Sequence, residues 1–232
     1  MESVVPLVFN ELLYVVCMWI YLAVLKREEP SRVIPFFQAI PVFGVVGAAF
    51  VLAEFPKPAE FLAIGMLVAG GFLLSFHKGK IGKRMATLMV LASAIIAGYD
   101  VIFAEFGRDV RPAAAILIGM IAKAFWLLLI LAGKKERRGF RLALRTRFKL
   151  QSVSEVASIA ADSARCYFLL VFPVAMVQTI CCTQPLFVLA TAVILTRIHP
   201  AAIREEVQRL TLVQKACGIA LMVAGGVLLA RS

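Results

Sequence analysis

The sequence predicts an all-α polytopic membrane protein with eight transmembrane helices. Three observations carry that expectation. The chain of 232 residues is 62% hydrophobic with a mean hydropathy of +0.91, whereas soluble domains are about 45–50% apolar. The apolar residues fall into eight runs, most of them near the roughly 20 residues a helix needs to cross the bilayer core. The net charge of +11 sits mainly between the runs, as in loops facing anionic headgroups and unlike a nucleic-acid-binding patch.

The eight predicted helices are Val4–Leu25, Val33–Ala53, Ala59–Phe76, Met85–Phe106, Pro112–Ala132, Val153–Phe172, Val174–Thr196 and Leu212–Ala230. The first is no signal peptide: no base precedes it, and it carries Asn10 and Glu11. Pro41 in the second predicts a kink, matched by Pro185 in the seventh. The apolar run around Phe172 is long enough for two crossings, and Pro173 is the predicted break. The five cysteines lie in apolar runs without CxxC spacing, so they read as small apolar side chains. His77 and His199 sit at helix ends, and neither a metal nor a cofactor is expected.

The third and eighth helices repeat one another. Ile64–Leu74 (IGMLVAGGFLL) and Ile219–Leu229 (IALMVAGGVLL) match at seven of eleven positions at an offset of 155. Upstream, at an offset of 144, Glu11, Val33, Pro41, Phe43, Ala48 and Pro56 match Glu155, Val177, Pro185, Phe187, Ala192 and Pro200. Two matches in the same order indicate a duplicated unit, and internal repeats are common in secondary transporters.

The links after helices one, three, five and seven hold 18 Lys and Arg against four on the other side. The positive-inside rule puts links 26–32, 78–84, 133–152 and 197–211 in the cytoplasm and both termini outside. In the densest, Lys134 to Lys149, bases interleave with Phe140, Leu142, Leu144 and Phe148. It reads equally as a short amphipathic surface helix or a solvated loop.

The ordered pattern resembles the drug/metabolite transporter superfamily in its EamA-like branch. The residues that carry the likeness are Tyr21-Leu-Ala-Val-Leu25, Ser31, Phe36-Phe-Gln-Ala-Ile-Pro-Val-Phe43 and Leu52-Ala53-Glu54 before the first glycine helix. Phe172-Pro-Val-Ala-Met-Val177 and Gln184-Pro-Leu-Phe187 precede the second. The family's usual Leu-Gly-Glu ending is here Leu52-Ala53-Glu54, and Leu195-Thr196-Arg197 in the second copy. The resemblance implies two inverted five-helix repeats, the first lacking its first two helices. Residues 1–77 would form that incomplete repeat of three helices, and 85–232 the second, of five helices, with basic loop 133–152. The chain is then either a shortened member or one whose start lies further upstream. Members of the family usually have cytoplasmic termini, opposite to the charge count.

Charged residues inside a membrane helix cost roughly 2.5–3.5 kcal/mol each on insertion scales, so six are candidates for function: Glu11, Asp100, Lys123, Glu155, Asp162 and Arg165. Spacings of seven and three put Glu155, Asp162 and Arg165 on one helical face, and Asp162 with Arg165 can pair. Lys123 needs a partner, with Asp100 and Asp162 the candidates. Arg165 and Lys123 would hold an anionic or zwitterionic substrate. A carboxylate among Glu11, Asp162 and Glu155 would exchange a proton, because burial favours the neutral acid. The same residues could instead form a network that only locks helices together. Gln38, Gln178, Gln184, Tyr14, Tyr99 and Trp19 are candidate pocket linings, though each such residue is more often one of packing or interhelical hydrogen bonding.

The expected function is a secondary transporter in the cell (inner) membrane. It would export a small polar metabolite, such as an amino acid or related organic ion, by alternating access with possible proton coupling. The expected partners are the bilayer, a small-molecule substrate, protons and a second copy of the chain, with no nucleic acid. The alternative is a truncated, non-transporting paralogue acting as a membrane partner or scaffold. An enzyme is not expected, since there is no HExxH, GxSxG or Cys–His pair, and Tyr99-Asp100 lacks the Gly-x-Gly-Asp half of an aspartyl dyad.

Overall fold

A computed structural model describes residues 3–28, 33–75, 82–130, 133–181, 183–184, 187 and 209–231. Among these residues there are eight α-helices, one 3₁₀ helix and no strand. The α-helices are α1 (Val4–Leu25), α2 (Ile40–Val51), α3 (Pro58–Ser75), α4 (Lys83–Gly107), α5 (Pro112–Ile130), α6 (Lys134–Val171), α7 (Val174–Cys181) and α8 (Arg209–Arg231). Helices α1, α4 and α5 are long and apolar enough to cross a membrane, and residues 36–51, 58–73 and 216–228 form shorter apolar helices. Large side chains such as Phe50, Ile121 and Leu128 point outward and exposed, as a bilayer-facing surface requires.

Helix α4 is the central post. It packs against α1, α2, α6 and α7, and buries a stripe that includes Met89, Ile96, Tyr99, Asp100 and Phe103. Polar side chains attach its neighbours. The Ser93 hydroxyl donates to the Phe36 carbonyl at 2.9 Å, and the Cys17 thiol to the Ala92 carbonyl at 3.4 Å. The Trp126 indole N–H donates to the Val8 carbonyl at 2.8 Å and ties α5 to α1. Cys17 and Cys166 are buried, and all four cysteines described are free thiols.

The second predicted helix is not continuous. Ile34–Ala39 is 3₁₀, and the α-helix starts only at Ile40. Pro41, which lacks an N–H and whose ring would crowd the carbonyl four residues earlier, therefore opens α2 instead of kinking it. The link 133–152 is not a loop. It is helical from Lys134 and runs unbroken into the sixth predicted helix, giving 38 residues and a length of about 57 Å. Lys83 and Arg84 likewise belong to α4. The break at Phe172-Pro173 is where the sequence puts it: Phe172 is extended (ψ 161) and α7 begins at Val174. Of the expected helix Val174–Thr196, the stretch after Cys181, with Pro185, lies largely outside the described residues, as do links 78–81 and 197–208, His77 and His199.

The two glycine helices pack on each other in a self-complementary way. A Cβ on Gly70 would lie 2.7 Å from the Gly218 carbonyl oxygen and 2.6 Å from Met222 Cγ. A Cβ on Gly225 would lie 3.0 Å from both the Ala63 carbonyl oxygen and Leu67 Cγ. Gly70 and Gly225 are repeat counterparts, and so are Ala63 with Gly218 and Leu67 with Met222. The contact therefore maps onto itself when the copies are exchanged, the signature of a two-fold interface. Positions high in one helix meet positions low in the other, so α3 and α8 run antiparallel and the two-fold axis lies across them. Gln214 closes one end by donating to the Leu73 carbonyl at 2.8 Å.

Candidate functional site

Helices α1, α4, α5 and α6 each bring charge to the middle of the bundle. Tyr99 and Asp100 are consecutive, so their side chains diverge from α4 toward different neighbours. The Tyr99 hydroxyl donates to Glu11 Oε1 at 2.9 Å, and the Asn10 amide holds the Tyr99 carbonyl at 3.0 Å. Asp100 Oδ1 accepts from Arg165, and its Oδ2 accepts from the Gln178 amide at 3.1 Å. Arg165 reaches back one turn to Asp162 Oδ1 at 2.9 Å, and Asp162 Oδ2 accepts from Lys123. Lys123 lies 4.0 Å above the Tyr14 ring centre and 3.6 Å from Glu11 Oε2.

The result is one chain of alternating charge: Glu11, Lys123, Asp162, Arg165, Asp100. By helix rise, the five Cα positions lie roughly 9–17 Å from the helix ends at Val4, Gly107, Pro112 and Val171, well inside their helices. Arg165 is the fork that joins α4 to α6, a task suited to its planar, multi-donor group. Two glycines make room for the network. A Cβ on Gly119 would lie 2.8 Å from Glu11 Oε1, and one on Gly44 would overlap the Gln178 amide.

Two cavities meet at this chain. One, of about 130 Å³, is lined by Gln38, Asp100, Arg165, Gln178 and Gln184 with apolar neighbours. The other, of about 260 Å³, is lined by Glu11, Tyr99, Lys123, Glu155, Asp162 and Ser163, with Phe103, Ile116 and Leu127 among its apolar walls. The Asp162–Arg165 bond links the two linings.

Five of the six charged candidates thus come together. Glu155 does not join the network; it is exposed at the rim of the larger cavity. Gln38, Gln178 and Gln184 line the smaller cavity and Tyr99 the larger. Tyr14 packs under Lys123, while Trp19 is 60% exposed on the outside.

Sequence reasoning missed a second ionic clamp. Arg108 bonds Glu54 Oε1 at 2.6 Å, and also donates to the carbonyls of Phe172 at 2.9 Å and Leu169 at 3.3 Å. The other Glu54 oxygen accepts the Val174 N–H at 3.0 Å. Together they fasten the ends of α2 and α4 to the α6–α7 turn. The available signal was the Leu52-Ala53-Glu54 ending: Ala53 has φ 53, a left-handed conformation that favours glycine, and it aims Glu54 back over the helix end, its N–H on the Ala48 carbonyl at 3.2 Å.

No protein-family model matches this chain, and no curated protein matches it. Eleven chains of solved structures do match. One, a crystal structure of a protein, has a TM-score of 0.65 and 18% sequence identity over 99% of this chain and 78% of its own. A likeness at that identity concerns the fold alone.

Proposed function

We propose that this chain is a secondary transporter of the inner membrane, built from eight crossings and two inverted repeats as in the drug/metabolite transporters of EamA type. The observation that carries the reading is the charged chain of Glu11, Lys123, Asp162, Arg165 and Asp100, set among apolar helices with a cavity on either side. Ionic groups at such depth are costly, and a network that only held helices together would have no need of two adjoining cavities.

The antiparallel glycine contact supports the inverted arrangement. If α3 and α8 stand across the bilayer, their two-fold axis lies in its plane, the symmetry of alternating access. In the transport reading the two halves rock about this contact, and the cavities open in turn. The cargo is a small polar metabolite such as an amino acid or related organic ion. Proton exchange at Glu11, Asp162 or Glu155 would couple the cycle. The basic links and the N-terminal half of α6 would lie in the cytoplasm.

The test compares metabolite profiles inside and outside cells that express wild type, Arg165→Gln or an empty vector, with membrane amounts of the two proteins measured in parallel. A metabolite that moves with wild type and at least about tenfold less with the variant supports the reading. Unchanged flux in the variant removes Arg165 from the path. No moving metabolite, with both proteins in the membrane, turns the reading to a scaffold.

A further inference from the structure

We infer that the larger cavity receives the ammonium group of a small organic amine, with Glu11 Oε2 as its acceptor. The inference deepens the reading above and rests on it only for the direction of movement, not for the binding.

Charge balance is the first argument. Three carboxylates (Glu11, Asp100, Asp162) and two cations (Lys123, Arg165) form the network, so one negative charge is left over. In a low-dielectric interior an uncompensated charge is expensive. The chain alternates and ends in a carboxylate at both ends. At the Asp100 end both oxygens are bonded, by Arg165 and Gln178. At the Glu11 end one oxygen accepts from Tyr99, while Oε2 is buried without a hydrogen bond.

Lys123 pairs with Oε2 at 3.6 Å, longer than a hydrogen bond, and donates to Asp162. Glu11 is 1% exposed and lines the larger cavity, so the carboxylate that carries the unsatisfied oxygen borders a space that can hold a ligand.

The chemistry of that space is the second argument. Its charged lining is Glu11, Asp162 and Glu155 against Lys123 alone. Arg165, the other cation, lines the opposite cavity and is spanned by Asp100 and Asp162. An anion would meet three carboxylates and one engaged ammonium. An amine would complete the alternation and give Oε2 its donor. Phe103, Ile116 and Leu127 supply an apolar wall for the rest of the molecule, and about 260 Å³ suits a cargo of amino-acid size.

Three probes of nearly equal size separate the possibilities: phenethylamine, 2-phenylethanol and phenylacetate, titrated into the purified full-length protein at neutral pH while its unfolding temperature is followed. Only the amine should raise it in a saturable way, and Glu11→Gln should weaken that binding about 10- to 100-fold, as loss of a charge-assisted hydrogen bond does. If Glu11→Gln does not reach the membrane, Glu11→Asp, whose carboxylate is withdrawn by one methylene, should show an intermediate loss.

Binding of phenylacetate in place of the amine, or equal binding of the amine to wild type and Glu11→Gln, overturns the inference. So does a protein that binds none of the three and is stabilised by Glu11→Gln, because the excess charge is then met by a proton alone. Uptake of the amine into proteoliposomes tests the transport reading separately. Binding without uptake sinks that reading only, and movement of an anionic metabolite without amine binding sinks this inference only.

Discussion

Gly70→Ala tests the crossing of α3 and α8 at its tightest point. A new Cβ there would stand 2.6 Å from Met222 Cγ, 2.7 Å from the Gly218 carbonyl oxygen and 3.0 Å from the Met222 nitrogen. The methionine end can swing away, but the other two atoms are backbone of α8, so the whole helix must retreat. Overpacking of this kind costs about 1–3 kcal/mol. Gly65 lies in the same helix with nothing within 4 Å of its virtual Cβ. The propensity gain of Gly→Ala, about 1 kcal/mol, is common to both substitutions and cancels between them. Gly70→Ala should therefore be less stable than Gly65→Ala by about 1–3 kcal/mol. Gly225→Ala should fall between, since its virtual contacts are 3.0–3.1 Å. Unfolding in mixed micelles with a rising fraction of denaturing detergent, followed by helical circular dichroism, measures the order. Equal losses for Gly65→Ala and Gly70→Ala would refute the packing argument.

Arg165→Ala should cost about 3–5 kcal/mol by stranding Asp100 and Asp162, and adding Asp100→Asn should recover part of it; a double mutant no more stable than the single one argues against the pairing. Ala53→Gly should raise stability by about 1 kcal/mol, because it removes the left-handed strain of an L side chain, read in the same unfolding assay. Glu54→Ala should lose about 1–3 kcal/mol, since it leaves the Val174 N–H without its acceptor and Arg108 without its carboxylate partner, and proteolysis near the α6–α7 turn should quicken. Gly44→Ala should cut flux of any identified substrate while leaving the helix content unchanged, because its methyl would occupy the space of the Gln178 amide that holds Asp100.

Much of the fold was legible because long apolar helices announce themselves in one dimension. Val4–Leu25 falls at its predicted bounds, and the long apolar run breaks at Pro173, as predicted. Legibility stopped where local chemistry competes with hydropathy. The stretch Ile34–Ala39 is as apolar as its neighbours, yet the prolines at 35 and 41 remove two backbone donors and leave it 3₁₀. The basic link was ambiguous because charge density speaks of topology and not of backbone shape.

Within the site, the cost of charge at depth identified the residues but not their partners. Lys123 had two candidates, and the one it takes, Asp162, is set by the packing of α5 on α6. Glu11 and Glu155 match in the sequence repeat, yet one is interred under Tyr99 and Gly119 and the other stands at a cavity rim. The Arg108–Glu54 clamp escaped because both residues lie at helix ends, where a charge needs no special explanation.

The antiparallel glycine contact also has something to say about ancestry. In the inverted-repeat reading, a single unit could make it only with a copy inserted upside down, so one sequence would have had to enter the bilayer in both directions. In that reading, joining the copies in one chain would remove the requirement and let each half drift under its own constraints. Gly70 and Gly225 each meet matching positions of the other glycine helix, while Glu11 and Glu155, which match in the sequence repeat, stand in different surroundings.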